Sequence, residues 1–286
     1  MELRIRSAVA SDGAACGKVL FDAFTQVATR HGFGTEVTVE YATERATRLL
    51  NHPEVFGAVA EKEGRIEGVA FLDERSSIRG VGPIGVEPRM QGKGIGKQLM
   101  ETVLSRVTGY PGVRVVLDGF NSPSPTLFTS LGFETKQPLK LVRGRIENGL
   151  PSGFEVRPMN EGDIEACEEL CRAVHGFDRT SELRDALAEL SPFVALRDGR
   201  MVAYITTATA FRQCHGVAEN AQGMQAVISG AARANGGEVE ILLPAREAEF
   251  LKWATGLGLR EVRPLALMAR GEYQDPRGCF IPSALY

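Results

Sequence analysis

Apolar and polar positions along the chain recur with two periods, and the places where one period gives way to the other mark its elements. Residues 3–7 alternate as a short strand. Ser11-Asp12 then reads as the cap of a helix that keeps Val19, Leu20, Ala23 and Phe24 on one side. A second helix is predicted over 37–50, after the loop His31-Gly32-Phe33-Gly34. Residues 55–61 and 65–72 form a predicted hairpin with Glu63-Gly64 at its turn, and 79–86 is the next strand. A helix over 95–107, a β-branched buried strand over 113–117, a short helix over 123–131 and a returning strand over 134–143 complete the first half.

After the turn-rich stretch Asn148-Gly149-Leu150-Pro151-Ser152-Gly153 the pattern starts again. A strand over 154–157 leads to Asn160-x-x-Asp163, a capping-box variant opening a helix through Ala173. Strands over 192–196 and 201–208 meet at Asp198-Gly199; a helix over 221–234, a strand over 238–243, a helix over 247–255 and a last strand follow. The expected architecture is a mixed α/β (α+β) chain of two tandem units, divided at 147/148. Each is a mixed, largely antiparallel sheet flanked by helices.

One stretch carries distinctive chemistry. Ile84-Gly85-Val86 ends a strand, Glu87-Pro88 breaks it, and Gln91-Gly92-Lys93-Gly94-Ile95-Gly96-Lys97 runs into a helix. A helix start offers unpartnered N–H groups and the positive end of the peptide dipole, so it favours an anion. Gly92, Gly94 and Gly96 lack the Cβ atoms that would hold a phosphate off the backbone. Lys93 and Lys97 add positive charge, although each also reads as a solvated helix-start lysine. Neither the dinucleotide fingerprint nor the P-loop matches this order.

The string Gln91-x-x-Gly94-x-Gly96 resembles motif A, Q/R-x-x-G-x-G/A, of the GNAT acyltransferases, which binds the pyrophosphate of acetyl-CoA. A second segment agrees with it: Asn121 stands six residues before Leu127-Phe128-Thr129-Ser130-Leu131-Gly132-Phe133, like the N-x5-L-Y-x-x-L-G-F segment of that family. The resemblance implies a sheet that splays between the strand ending at Val86 and the strand ending near Asp118, with the pantetheine arm in the split. It implies cofactor contacts from Ile84, Gly85, Val86, Gln91, Gly92, Lys93, Gly94, Ile95, Gly96, Lys97, Asn121 and Phe128, with a backbone N–H near Val86 facing the thioester oxygen. For Asn121 the turn-forming role before Ser122-Pro123 stays open beside the ligand role. The first two helices and their loop then form part of the acceptor pocket, with Phe24, His31, Phe33 and Tyr41 as candidate walls or ordinary core aromatics.

The resemblance also implies acetyl transfer from acetyl-CoA to the primary amine of a small molecule, by direct attack and without a metal. It fails at one position. Phe128 stands where many relatives carry the tyrosine that protonates the departing sulfur, so a non-catalytic acyl-CoA sensor is the alternative. Asp118 is the best candidate base, its other reading being a strand-end acceptor of backbone N–H bonds. Glu74 and the terminal Tyr286 are weaker candidates. In the second half, Gly216 to Gln225 lacks the glycine string and Glu219 would repel phosphate, so one acetyl-CoA per chain is expected, with the second unit as scaffold and pocket wall.

Composition narrows the partners. A net charge of −3 over 286 residues argues against a nucleic-acid partner. The charge is uneven: residues 1–150 hold 19 Lys+Arg against 17 Asp+Glu, and the remainder holds 14 against 19. An acidic wall closing over the site would favour a cationic amine. No apolar stretch approaches signal-peptide or membrane-span length, so no membrane partner and a cytoplasmic chain, monomeric or homodimeric, are expected. The five cysteines suit a reducing compartment; Cys167 and Cys171, four apart on a helix, read as core. The four histidines read as loop or surface residues.

Overall fold

The structure is a computed structural model that describes residues 3–34 and 37–284. Its first half runs β1 (Arg4–Ser7), α1 (Gly13–Arg30), α2 (Val39–Asn51), β2 (Val55–Lys62), β3 (Arg65–Asp73), β4 (Ile78–Val86), α3 (Ile95–Leu104), β5 (Gly112–Asp118), α4 (Pro123–Ser130) and β6 (Glu134–Arg145). The second half runs β7 (Glu155–Pro158), α5 (Ile164–His175), α6 (Thr180–Glu189), β8 (Phe193–Arg197), β9 (Arg200–Ile205), β10 (Gly216–Ala218), α7 (Ala221–Ala234), β11 (Glu238–Pro244), α8 (Ala248–Gly256), β12 (Arg260–Gly271) and β13 (Cys279–Ile281). The period-based reading finds the long elements and passes over α6, β10 and β13.

Strand pairing crosses the linker. One sheet runs β1-β2-β3-β4-β5-β12-β6-β11, the other β13-β10-β9-β8-β7. Thus β12, from the second half, lies antiparallel between β5 and β6, while β6 pairs on its other edge with β11. Each half lends its long last strand to the other, and the two loaned strands pair at the centre. Leu267, Met268 and Ala269 of β12 and Leu139, Leu141 and Val142 of β6 are buried there. The first 147 residues therefore do not close their own sheet.

Two layers cover the first half's sheet. On one face, α1 and α2 pack Cys16, Val19, Leu20, Ala46 and Leu49 onto Val59, Val69 and Phe71. On the other, α3 and α4 pack Ile95, Leu99, Met100, Val103 and Phe128 onto Ala58, Ala70, Leu72 and Val115. Close contact between α1 and α2 depends on Gly17. A Cβ there would stand 2.4 Å from the Thr43 Cα, so the side chain's absence lets the helices touch. That contact sets where α2 holds Tyr41 and Arg45, one turn apart on one face.

Candidate active site

β4 and β5 are parallel neighbours only along Ile78–Gly80 against Gly112–Arg114. Beyond that they part. Val81 to Val86 on one side and Val115 to Asp118 on the other line a cavity of about 470 Å³. A bulge contributes: between Ala70↔Ile84 and Leu72↔Val81 the register gains one residue in β4, and bulges bend and re-aim a strand. The N–H of Glu87 donates to the Glu67 carbonyl on β3, so strand alternation turns the N–H and C=O of Val86 toward the open edge. Gln91 Nε2 donates to that Val86 carbonyl at 3.0 Å. The gap therefore presents strand-edge groups, the Val86 N–H among them, to an extended ligand.

At the α3 face the gap meets a bare helix start. Gly94 is the N-cap of α3, in the left-handed region at φ +80°, with no side chain closing the helix end. A Cβ built at Gly92 or Gly94 would meet nothing within 4 Å. The first intrahelical bond is Gln98 N–H to the Gly94 carbonyl, which leaves the N–H groups of Ile95, Gly96 and Lys97 without helical partners. Gln91, Gly92, Gly94, Ile95, Gly96 and Lys97 all line the cavity. Open space, bare amides and a nearby lysine fit a diphosphate.

At the α1/α2 face the same cavity is lined by Phe24, Arg30, Tyr41 and Arg45, and there the second half reaches in with Phe211, Arg212, Arg263, Leu265 and Ala284. Phe211 and Arg212 sit on the loop between β9 and β10, and Arg263 on β12. Arg263 Nε lies 3.4 Å from Asp118 Oδ1 at the end of β5. Its guanidinium stands 5.6 Å from the Phe211 ring, and that of Arg212 lies 4.4 Å from the same ring and 6.0 Å from Tyr41. A continuous charged and aromatic wall thus links Asp118 to α2.

Residues 52–135, from the end of α2 to the start of β6, match the sequence profile of the acetyltransferase (GNAT) domain. That segment of the chain is a GNAT domain by its sequence profile. Its class of activity is acyl transfer. No curated protein sequence matches the chain. In fold it is similar to a Pyrococcus horikoshii protein described as a candidate acetyltransferase, with 16% identity, TM-score 0.78 and coverage of 99% of this chain and 96% of that one. A GCN5-related N-acetyltransferase from Sphaerobacter thermophilus gives 14% identity, TM-score 0.64 and 96% coverage of both chains. A GCN5-related glucosamine N-acetyltransferase region of a fungal multi-domain GH3 β-N-acetylglucosaminidase gives 14% identity and TM-score 0.67, covering 94% of this chain and 38% of that one.

With the GNAT frame in place, the sequence-predicted residues can be located. All the expected cofactor contacts line the cavity except Lys93, whose Nζ lies 3.5 Å from the Met90 sulfur. Asn121 donates from Nδ2 to Ser124 Oγ at 2.8 Å, so its turn-forming bond and its place at the cavity coexist. Phe128 is 1% exposed and meets Phe133 edge-on with ring centres 5.1 Å apart. Phe24 and Tyr41 line the acceptor mouth, whereas His31 and Phe33 pack on Phe120, beside the exit of β5, at 5.2 and 4.2 Å. Glu74 is away from the cavity, bound by Arg106 at 3.0 and 2.9 Å, which corrects its candidacy as a base. Tyr286 lies outside the described residues.

Three expectations need correction or completion. Among the described residues the second half presents no acidic wall: the charged residues it brings to the cavity are Arg212 and Arg263. His175 and His215 are not surface residues but buried, 4% and 3% exposed, with rings 6.0 Å apart. His215 contacts the Arg179 guanidinium through Nδ1 at 2.7 Å and the Tyr204 hydroxyl through Nε2 at 2.9 Å. Arg45, Arg212 and Arg263 escaped the sequence reading because isolated arginines carry no local motif.

Among the described residues the second half shows no comparable opening. The start of α7 is capped by Asn220, whose side-chain oxygen accepts from Gly223 N–H at 3.0 Å. The edge of β10 that corresponds to the open edge of β4 is paired with β13, Gly216↔Ile281 through Ala218↔Cys279. Glu219 is engaged by Arg200. The chain's own tail occupies the slot that the first half leaves open.

Proposed function

We propose that the protein transfers acetyl from acetyl-CoA to the primary amine of a small molecule by direct attack, with one acetyl-CoA bound per chain in the first half. The observation that carries this is the single cavity that opens through the split between β4 and β5, with the bare α3 start at one mouth and the α1/α2 wall at the other. Acetyl-CoA supplies the activated thioester. The amides of Ile95, Gly96 and Lys97 take the diphosphate, and strand-edge groups of Ile84 and Val86 take the pantetheine arm.

The chain's own residues supply three services. The Val86 N–H, on the free edge, faces the split and stabilises negative charge on an acyl oxygen as a nitrogen attacks the carbonyl carbon. Asp118 lines the same space and takes the proton the amine loses. Phe128 cannot donate a proton, so the thiolate leaving group takes its proton from water or from the amine's own proton by way of Asp118. The walls of Val81, Ile84, Leu117 and Phe128 keep bulk water from the thioester.

Among the described residues no helix is long and apolar enough to cross a membrane. The five cysteines are free and buried, which supports a reducing, cytoplasmic setting. The test is thiol release from acetyl-CoA across an amine panel that includes glucosamine, together with coenzyme A binding by calorimetry. Amine-dependent release supports transfer. Tight coenzyme A binding without release above background, for any amine, favours the sensor alternative that Phe128 raises.

A further inference from the structure

Among the described residues six charged side chains line the cavity: Arg30, Arg45, Lys97, Arg212 and Arg263, with Asp118 as the acid. Lys97 belongs to the phosphate mouth and Arg263 stands beside Asp118. The remaining positive charge among the described residues, on Arg30, Arg45 and Arg212, lies at the α1/α2 mouth, on the opposite face of the sheet from the diphosphate loop. Cofactor phosphates at the start of α3 therefore do not account for it.

Arg45 is the most informative member. It is half-buried between this cavity and a smaller neighbouring one of about 80 Å³ that it also lines with Arg212. Among the described residues no carboxylate pairs with it. Burial lowers its pKa from the ordinary arginine range, Tyr41 opposes the shift, and Arg48, Arg212 and Arg75 add to it, yet at about 10 the group is still cationic at neutral pH. Its neighbours in charge are thus other guanidiniums. The nearby acids are already engaged: Arg48 has Glu189 at 2.6 Å, and Arg75 has Asp73 and Asp185 at 2.5 and 2.7 Å. A half-buried arginine facing a cavity without an acid partner is a site waiting for an oxyanion, since carboxylate and phosphate match its planar fork.

We propose that the acceptor is an amine that carries an anionic oxygen group, a carboxylate or a phosphate, held by Arg45 and Arg212 at the α1/α2 mouth while its nitrogen points into the split toward Asp118. Arg45 comes from α2 and Arg212 from the β9–β10 loop, so the two halves of the chain jointly build the subsite. That assigns the second half a role in acceptor selection, beyond lending β12 to the sheet. The inference rests on the transfer reading above.

The test uses the full chain loaded with coenzyme A and matched pairs of amines: amino acids with their decarboxylated counterparts, phosphoethanolamine with ethanolamine, and glucosamine 6-phosphate with glucosamine. Binding is measured by calorimetry and, in parallel with acetyl-CoA, turnover by thiol release. The anionic member of at least one pair binds tighter by about tenfold or more, the scale of one charge-assisted hydrogen-bond pair. Which pair responds distinguishes carboxylate from phosphate. Arg45→Gln and, independently, Arg212→Gln abolish the difference within that pair, Arg45→Lys restores part of it, and coenzyme A affinity does not change in Arg45→Gln. Equal or tighter binding of the neutral members, no binding by any pair, or a preference that survives both substitutions overturns the subsite. Anion-selective binding without turnover leaves the subsite standing and overturns the transfer reading, so the two failures are separable.

Discussion

Gly94→Glu isolates the phosphate mouth from everything else. Gly94 sits at φ +80°, where a residue with a Cβ is strained by about 1–2 kcal/mol, and that Cβ would meet nothing within 4 Å. The fold should therefore survive, with melting lowered by a few degrees. Ligand binding should not. The new carboxylate stands at the N-cap of α3, beside the amides proposed to take the diphosphate. Like charges about 4 Å apart at an effective dielectric constant of about 20 repel by about 4 kcal/mol, which is about a thousandfold in Kd. Gly94→Ala carries the same backbone strain without the charge, so it should lose far less affinity and melt at nearly the same temperature as Gly94→Glu. Calorimetric titration with coenzyme A and thermal melting of both variants make the comparison. Coenzyme A binding by Gly94→Glu with unaltered affinity would refute the reasoning, because a phosphate at these amides cannot ignore that carboxylate.

Three further outcomes follow from the structure. Asp118→Asn should lower kcat by about a hundredfold while leaving coenzyme A affinity within a few-fold, measured by steady-state kinetics and calorimetry; an unchanged kcat would leave Asp118 a structural role, its contact with Arg263 included. Residues 1–147 expressed alone should neither melt cooperatively nor bind coenzyme A. β5 then lacks β12, and burial of Leu265, Leu267 and Met268 at about 1.5–3 kcal/mol each is comparable with the whole stability of a domain; a cooperative melt by circular dichroism would contradict the exchange of strands. The buried histidines should make the protein acid-sensitive. Burial, with Arg179 and Arg114, pushes His175 down to about 3, and burial with Arg179 and His175 lowers His215 well below its ordinary value. The unfolded chain takes up these protons near pH 6.5 and the folded chain only far lower, so stability is complete above 6.5 and falls as pH drops below it. Between pH 5 and 6.5, before the carboxylates titrate, His175→Phe should reduce that slope by about one proton in denaturant titrations; the same slope in wild type and variant would refute the linkage.

The parts of this fold that were legible in the sequence are those fixed by local chemistry. Gly92 and Gly94 announce left-handed backbone and an uncapped helix start, and the structure places both there, at φ +75° and +80°. Asn160 and Asp163 announce a cap, and the structure closes it: Asn160 N–H donates to Asp163 Oδ2 and Gly162 N–H to Asn160 Oδ1, at 2.9 Å each. What was not legible depends on partners distant in the chain. β6 and β12 each read as a returning strand, and nothing in either stretch says that they exchange places, because strand pattern specifies the buried face and not the neighbour. β13 is three residues long, too short for a period. α6 is preceded by Arg179, which makes no side-chain cap, and only Leu183 and Ala186 of its residues are buried, so its signal is weak. Arg45 and Arg212 lie 167 positions apart in numbering and acquire meaning only when α2 and the β9–β10 loop meet. Net charge misled for a related reason: the second half is acidic as a whole, yet it turns arginines to the cavity.

The central claim is that acetyl-CoA threads the split between β4 and β5 of the first half. A crystal structure of the full chain with coenzyme A tests it most directly. The account predicts diphosphate oxygens on the N–H groups of Ile95, Gly96 and Lys97, the pantetheine arm along the free edge of β4, and the sulfur next to Val86, with the slot of the second half still filled by β13. Coenzyme A bound elsewhere, or a closed split with β4 and β5 paired to their ends, would contradict it.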